Sequence, residues 1–187
     1  PAFTALNPNS LVPVVIAPPS GGVPPLPPEG GEPAWERPGA DSDGDFVLWE
    51  SNTICRWLAA EHGREDLLPK SPRDRAEVER WMDWQATELN SAWRYAFHGL
   101  VRKNPQCQDA AQIEASVQQW NRTMGLLDAQ LQRTGAYAAG AHFTLADVVL
   151  GVSTHRWLET PIERPALPHV AAYCARLRER PGFQQYV

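Results

Sequence analysis

The chain holds three cysteines in 187 residues, Cys55, Cys107 and Cys174. An odd number at such wide spacing supports neither a disulfide framework nor a zinc site, so reduced thiols are expected. The five histidines, His62, His98, His142, His155 and His169, show no metal-ligand spacing, and no metal is expected. No apolar run approaches the ~20 residues that cross a bilayer, and no leader-like start is read. No long basic run occurs and the formal net charge is −5, which argues against nucleic acid as a partner. A Gly-rich phosphate loop and a nucleophile elbow are both missing. What these absences leave is a globular chain with 43% hydrophobic residues, long enough for one good core or a small domain beside a larger one. It is expected in the cytoplasm, with no membrane contact.

Proline, by contrast, is plentiful, and it is concentrated. Residues 17–45 hold Pro18, Pro19, Pro24, Pro25, Pro27, Pro28, Pro33 and Pro38 with several glycines. Such a segment forms neither a ladder nor a helix. It reads as an insertion: a Pro-rich recognition arm, a neutral insertion or an artefact of the sequence. On either side lie two short apolar runs. Val12 to Ile16 reads as a strand, and Phe46 to Trp49, after the turn signal Asp43-Gly44-Asp45, as a second strand antiparallel to it.

The second run leads directly into Glu50-Ser51-Asn52-Thr53 and then Ile54, Trp57 and Leu58 at helical spacing. A strand running into a helix leaves the first N–H groups of that helix facing outward. Together with the positive end of the helix dipole they suit a carboxylate. Ser51 adds a hydroxyl donor and Glu50 a charge for an ammonium group. The same residues also read as an ordinary helix start.

Gly63 ends that helix, and residues 64–70 read as a linker. Ser71-Pro72-Arg73-Asp74 opens a long helix, with Val78, Trp81, Met82, Leu89, Ala92, Trp93, Ala96, Phe97 and Leu100 as its apolar stripe. Asn104-Pro105 stops it. A second long helix carries Ile113, Val117, Trp120, Met124, Leu127 and Leu131, lies antiparallel to the first and ends at Gly135. Thr144 and Asp147 form a capping-box variant, with Phe143 and Val148 as its staple, on a helix apolar on most sides and so expected to be central. Asp147 reads as structural, its carboxylate held by backbone N–H groups. Pro168 opens a last helix with Val170, Tyr173, Cys174 and Leu177 inward, closed by Arg180-Pro181-Gly182.

Val12-Pro13 ahead of a strand, Glu50-Ser51 at a strand-to-helix turn, and a helical half with an N-capping box together resemble the cytosolic glutathione transferases, bacterial type. The resemblance implies a thioredoxin-like, glutathione-binding α/β domain at residues 1–64, incomplete at its N-terminus and interrupted at 17–45. An all-helical domain at 65–187 follows it. It also implies a cis Val12–Pro13 bond, with Val12 binding the cysteine backbone of glutathione and Glu50 and Ser51 the γ-glutamyl end. Family members begin with a strand, a helix and a second strand ahead of the segment seen here. The chain is therefore expected to start within the fold, and the catalytic Ser, Tyr or Cys of that unit has no counterpart in it.

The implied function is conjugation or reduction of small hydrophobic electrophiles with glutathione, the chemistry of detoxification, in a homodimer. The electrophile pocket would be lined from the first long helix, with Trp93, Arg94, Phe97 and His98 as candidates. Trp93 and Phe97 also read as plain core, and Arg94 as a solvated charge or an anion contact. The alternative is a non-catalytic glutathione-binding or scaffold protein.

Overall fold

The computed structural model describes residues 2–17 and 46–187. The readings placed on residues 18–45 lie outside the described residues. The chain divides into two compact units, Pro1–Glu61 and His62–Val187.

In the first unit, helix α1 (Ala2–Leu6) is followed by strand β1 (Val14–Ala17), strand β2 (Phe46–Trp49) and helix α2 (Ser51–Glu61). β1 and β2 pair antiparallel, Val14 with Trp49, Val15 with Leu48, Ile16 with Val47 and Ala17 with Phe46. The first strand starts at Val14, two residues later than expected, and the Val12–Pro13 peptide bond before it is cis. A proline at position 13 could not have donated to that ladder in any case. α2 buries Ile54 and Ala59, and the Trp57 ring lies 5.4 Å from that of Phe46, which ties helix to strand.

The second unit is all helix apart from turns and one isolated bridge: α3 (Pro72–Trp84), α4 (Asn90–Leu100), α5 (Ala110–Thr134), α6 (Leu145–Glu159), α7 (Pro168–Arg178) and α8 (Pro181–Tyr186). The long first helix predicted from the apolar stripe is present, but it contains a π-turn at Gln85–Leu89, where the Asn90 N–H reaches back five residues to Gln85 O. The turn explains the gap in the stripe between Met82 and Leu89. Gln85, a polar residue, fills that gap and is buried. Ser71 stands at the N-cap of α3 with Pro72 first in the helix, yet its side chain makes no capping bond.

α4 packs on α5, and Gly99 of α4 lies close against the turn at Pro105–Cys107 that joins the two helices. A Cβ there would lie 2.2 Å from Cys107 O. Asp109 caps α5 by accepting the Gln112 N–H, and Gly135, at φ 80°, takes the left-handed turn that ends it. The core is built from Val78, Met82, Leu89, Trp120, Met124, Leu127, Leu131, Leu150, Val170, Tyr173 and Leu177, all with 2% or less exposure.

α6 is buried along Leu145, Ala146, Leu150, Gly151, Ser153, Thr154 and Trp157, but Val148 and Val152 are 36% and 42% exposed. Most of the helix is thus buried, as its largely apolar composition suggests, and one side is partly open. Arg180-Pro181-Gly182 does not end the chain's helical structure. Pro181 opens the short α8, where its missing N–H costs nothing.

Candidate functional site

At the first site, β2 enters α2 through one residue, Glu50. Its φ is 72°, a left-handed conformation that side-chain-bearing residues rarely adopt. The first hydrogen bond of α2 runs from the Ile54 N–H to Glu50 O, 2.9 Å. The N–H groups of residues 51–53 thus precede the helical ladder and emerge at its positive end. Glu50, Ser51 and Thr53 are exposed.

The other segment is the loop before β1. Asn7 is buried, and its Nδ2 donates to Leu11 O at 2.7 Å while its Oδ1 accepts the Asn9 N–H at 2.9 Å. The Ser10 N–H reaches Asn7 O at 2.9 Å, with Ser10 at φ 55°. One buried amide therefore shapes the loop that delivers Val12, a residue 77% exposed. The Asn7-Pro8-Asn9 run is a turn signal, but the part Asn7 plays in it shows only in the bonds its side chain makes.

The ladder brings the two segments to one end. Val14 pairs with Trp49, so Pro13, next before Val14, and Glu50, next after Trp49, leave the ladder at the same end, with Val12 and Ser51 one residue further along each segment. All four residues lie at one end of the two-stranded ribbon.

The second cluster lies within the helical unit. The Trp93 and Phe97 rings meet edge to face at 5.3 Å, and Trp93 lies 6.2 Å from the buried Trp120. Trp93 Nε1 donates to Asn90 Oδ1 at 2.9 Å. The same oxygen accepts from Gln85 Nε2 at 3.1 Å, and Gln85 Nε2 also donates to Ser153 Oγ at 2.9 Å. The π-turn and α6 thus hold the indole in place through two amides. Arg156 of α6 lies 4.2 Å above the Trp93 ring and 5.3 Å from Phe97. Arg94 is exposed and stands apart from this cluster, while His98 lies 6.3 Å from Phe97. Arg156 escaped sequence reasoning because it comes from a different helix.

Thr144 and Asp147 form a capping box at the start of α6. Asp147 Oδ2 accepts the Thr144 N–H at 2.8 Å. Oδ1 accepts the Ala138 N–H at 2.9 Å and the Tyr173 hydroxyl at 3.0 Å. Burial raises the carboxyl's pKa, opposed by these bonds, of which those to Ala138 and Thr144 weigh most. Burial and the adjacent Asp147 push the Tyr173 hydroxyl well above its usual value. Among the described residues no group of three or more His, Cys, Asp or Glu side chains is placed to hold a metal, and no helix is long and apolar enough to cross a membrane.

Residues 110–176 match the glutathione S-transferase C-terminal domain family. The chain is 32% identical to glutathione S-transferase GstB of Escherichia coli (strain K12), over 99% of this chain and 77% of that protein. It is 30% identical to glutathione S-transferase 3 of Zea mays, over 100% of this chain and 75% of that one. Among solved structures it resembles the theta class glutathione S-transferase of Xanthomonas axonopodis pv. citri with glutathione bound. There the TM-score is 0.77 at 37% identity, over 99% of this chain and 76% of the other. The chain belongs to the glutathione S-transferase family. Its two-stranded α/β unit and its helical unit are those of that fold.

Proposed function

We propose that the chain binds glutathione at the end of the β1–β2 ribbon and offers its thiol to a small hydrophobic electrophile. The α-carboxylate of the γ-glutamyl group would lie on the first N–H groups of α2 and the Ser51 hydroxyl. Glu50 would hold the α-ammonium, and the main chain of Val12, before Pro13, would pair with the cysteine backbone. The supporting observation is the strand register, which carries the Val12–Pro13 turn and the Glu50–Ser51 helix mouth to the same end of one ribbon. The left-handed Glu50 adds to it, since side-chain-bearing residues held in that conformation cluster at ligand sites.

In the reaction the thiol gives up its proton and the sulfur lone pair forms a bond to the electrophilic carbon, whose leaving group departs with the bonding pair. We assign no residue of this chain to the stabilisation of the thiolate. Trp93 and Phe97 are the proposed acceptor wall, and the exposed Arg94 is read as a solvated charge. We read residues 1–64 as the thioredoxin-like domain and 65–187 as the helical one, in a cytoplasmic homodimer.

Retention of the full chain on immobilised glutathione, with elution by free glutathione, tests the site. Turnover of 1-chloro-2,4-dinitrobenzene tests the reaction. Retention without turnover would favour a glutathione-binding protein over an enzyme. Passage straight through the resin would refute the site.

A further inference from the structure

Beside the Trp93–Phe97 pair, a cleft of 230 Å³ opens between α4 and α6, lined by Phe97, Val101, Val152, His155, Arg156, Glu159 and Thr160. An apolar cavity of about 150 Å³ accepts benzene, so this volume suits one substituted ring. Its walls are unequal. Phe97, Val101 and Val152 supply an apolar side, and Val101 and Val152 are 41% and 42% exposed.

The other side is cationic. Arg156 stacks on Trp93 and Phe97, and among the described residues its guanidinium makes no ion pair and donates no hydrogen bond. Arg102 lies 5.7 Å from the same Phe97 ring, likewise without an ion pair among the described residues. Burial lowers the pKa of Arg156, and the charge of Arg102 lowers it further. Two guanidinium groups thus share one aromatic ring without a carboxylate partner. Glu159, exposed on the rim three residues beyond Arg156, is the acid among the lining residues and forms no ion pair with it. Nδ1 of His155 is buried without a hydrogen-bond partner among the described residues. A half-buried arginine with open donors, held over two aromatic rings, favours a planar oxyanion.

We propose that this cleft binds a one-ring ligand bearing a carboxylate, its ring on Phe97 and Val152 and its carboxylate on the guanidinium of Arg156, with Arg102 adding long-range attraction. The proposal rests on the reading of the Trp93–Phe97 face as the acceptor pocket and narrows the acceptor to anion-bearing electrophiles.

Calorimetric titration of the full chain with 4-chloro-3,5-dinitrobenzoate and with the neutral 4-chloro-3,5-dinitrobenzamide tests it without requiring turnover. The benzoate should bind about tenfold tighter, the scale of a charge-assisted hydrogen-bond pair. Arg156→Met should remove that preference, and Arg156→Lys should keep part of it. Should Arg156→Met fail to fold, the exposed Arg102→Gln and added salt decide, each expected to reduce the preference. Equal affinity for the two compounds would overturn the anion site while leaving the apolar pocket standing. Binding of neither would overturn the pocket reading and this inference with it. Retention on immobilised glutathione is independent of both results.

Discussion

The described residues of the two units differ sharply in how many of them are buried. Among the described residues of the first, the buried ones are Asn7, Ala17, Ile54 and Ala59. The second encloses Trp120, Tyr173, Met82, Leu89, Met124 and more, nearly free of solvent. Two strands alone are marginal in water, whereas among the described residues the helical core carries most of the buried apolar side chains. The difference separates roles. In the core of the helical unit a side-chain change should alter stability. At the ribbon end, where Val12, Glu50 and Ser51 are exposed, it should alter binding and leave the fold alone.

The contrast is broken most severely at Asp147. Asp147→Ala strands the N–H groups of Ala138 and Thr144 and the Tyr173 hydroxyl inside the core. It should cost about 3–5 kcal/mol in urea unfolding followed by far-UV circular dichroism, partly offset because a buried carboxylate no longer needs desolvation. Gly99→Ala comes next. Its new Cβ would meet a backbone oxygen, Cys107 O, that has no rotamer to escape into, and a loss of about 2–3 kcal/mol is expected in the same assay.

Asp128→Ala is milder. Asp128 Oδ1 accepts the His169 and Val170 N–H groups at 2.9 and 2.8 Å, capping α7 from α5 where Leu167 cannot. Its removal should cost about 1 kcal/mol. Smallest in stability is Glu50→Gly. Glycine accepts a φ of 72° freely, so the melting temperature should hold or rise, a shift worth about 1 kcal/mol at most. Glutathione affinity, read by calorimetry, should nevertheless fall. Parallel losses of stability and affinity would erase the distinction between the units.

Much of this arrangement was legible in the residues. The run Phe46–Trp49 emerged as a strand with the expected bounds, because its turn signal and the polar helix start after it agree. The inward faces of α5 and α7 followed their apolar spacing. Other features depend on partners far along the chain, which spacing does not reveal. The π-turn hides in a gap filled by Gln85, whose burial depends on Ser153 in α6. The cap of α7 comes from a residue about 40 positions earlier. α8 was missed because Arg-Pro-Gly reads as a stop, while a proline also suits a helix's first position. At the ribbon end, Val12, Pro13, Glu50 and Ser51 stood out locally. The role of Asn7 required the fold, since a buried amide is recognised by what it bonds.

The account depends most on the ribbon end as the place where glutathione is held. Titration calorimetry of glutathione into the wild-type chain and into Ser51→Ala, matched for melting temperature, tests this directly. Loss of the hydroxyl donor to a carboxylate should weaken binding about tenfold with the fold unchanged. Identical affinities in the two proteins would contradict it.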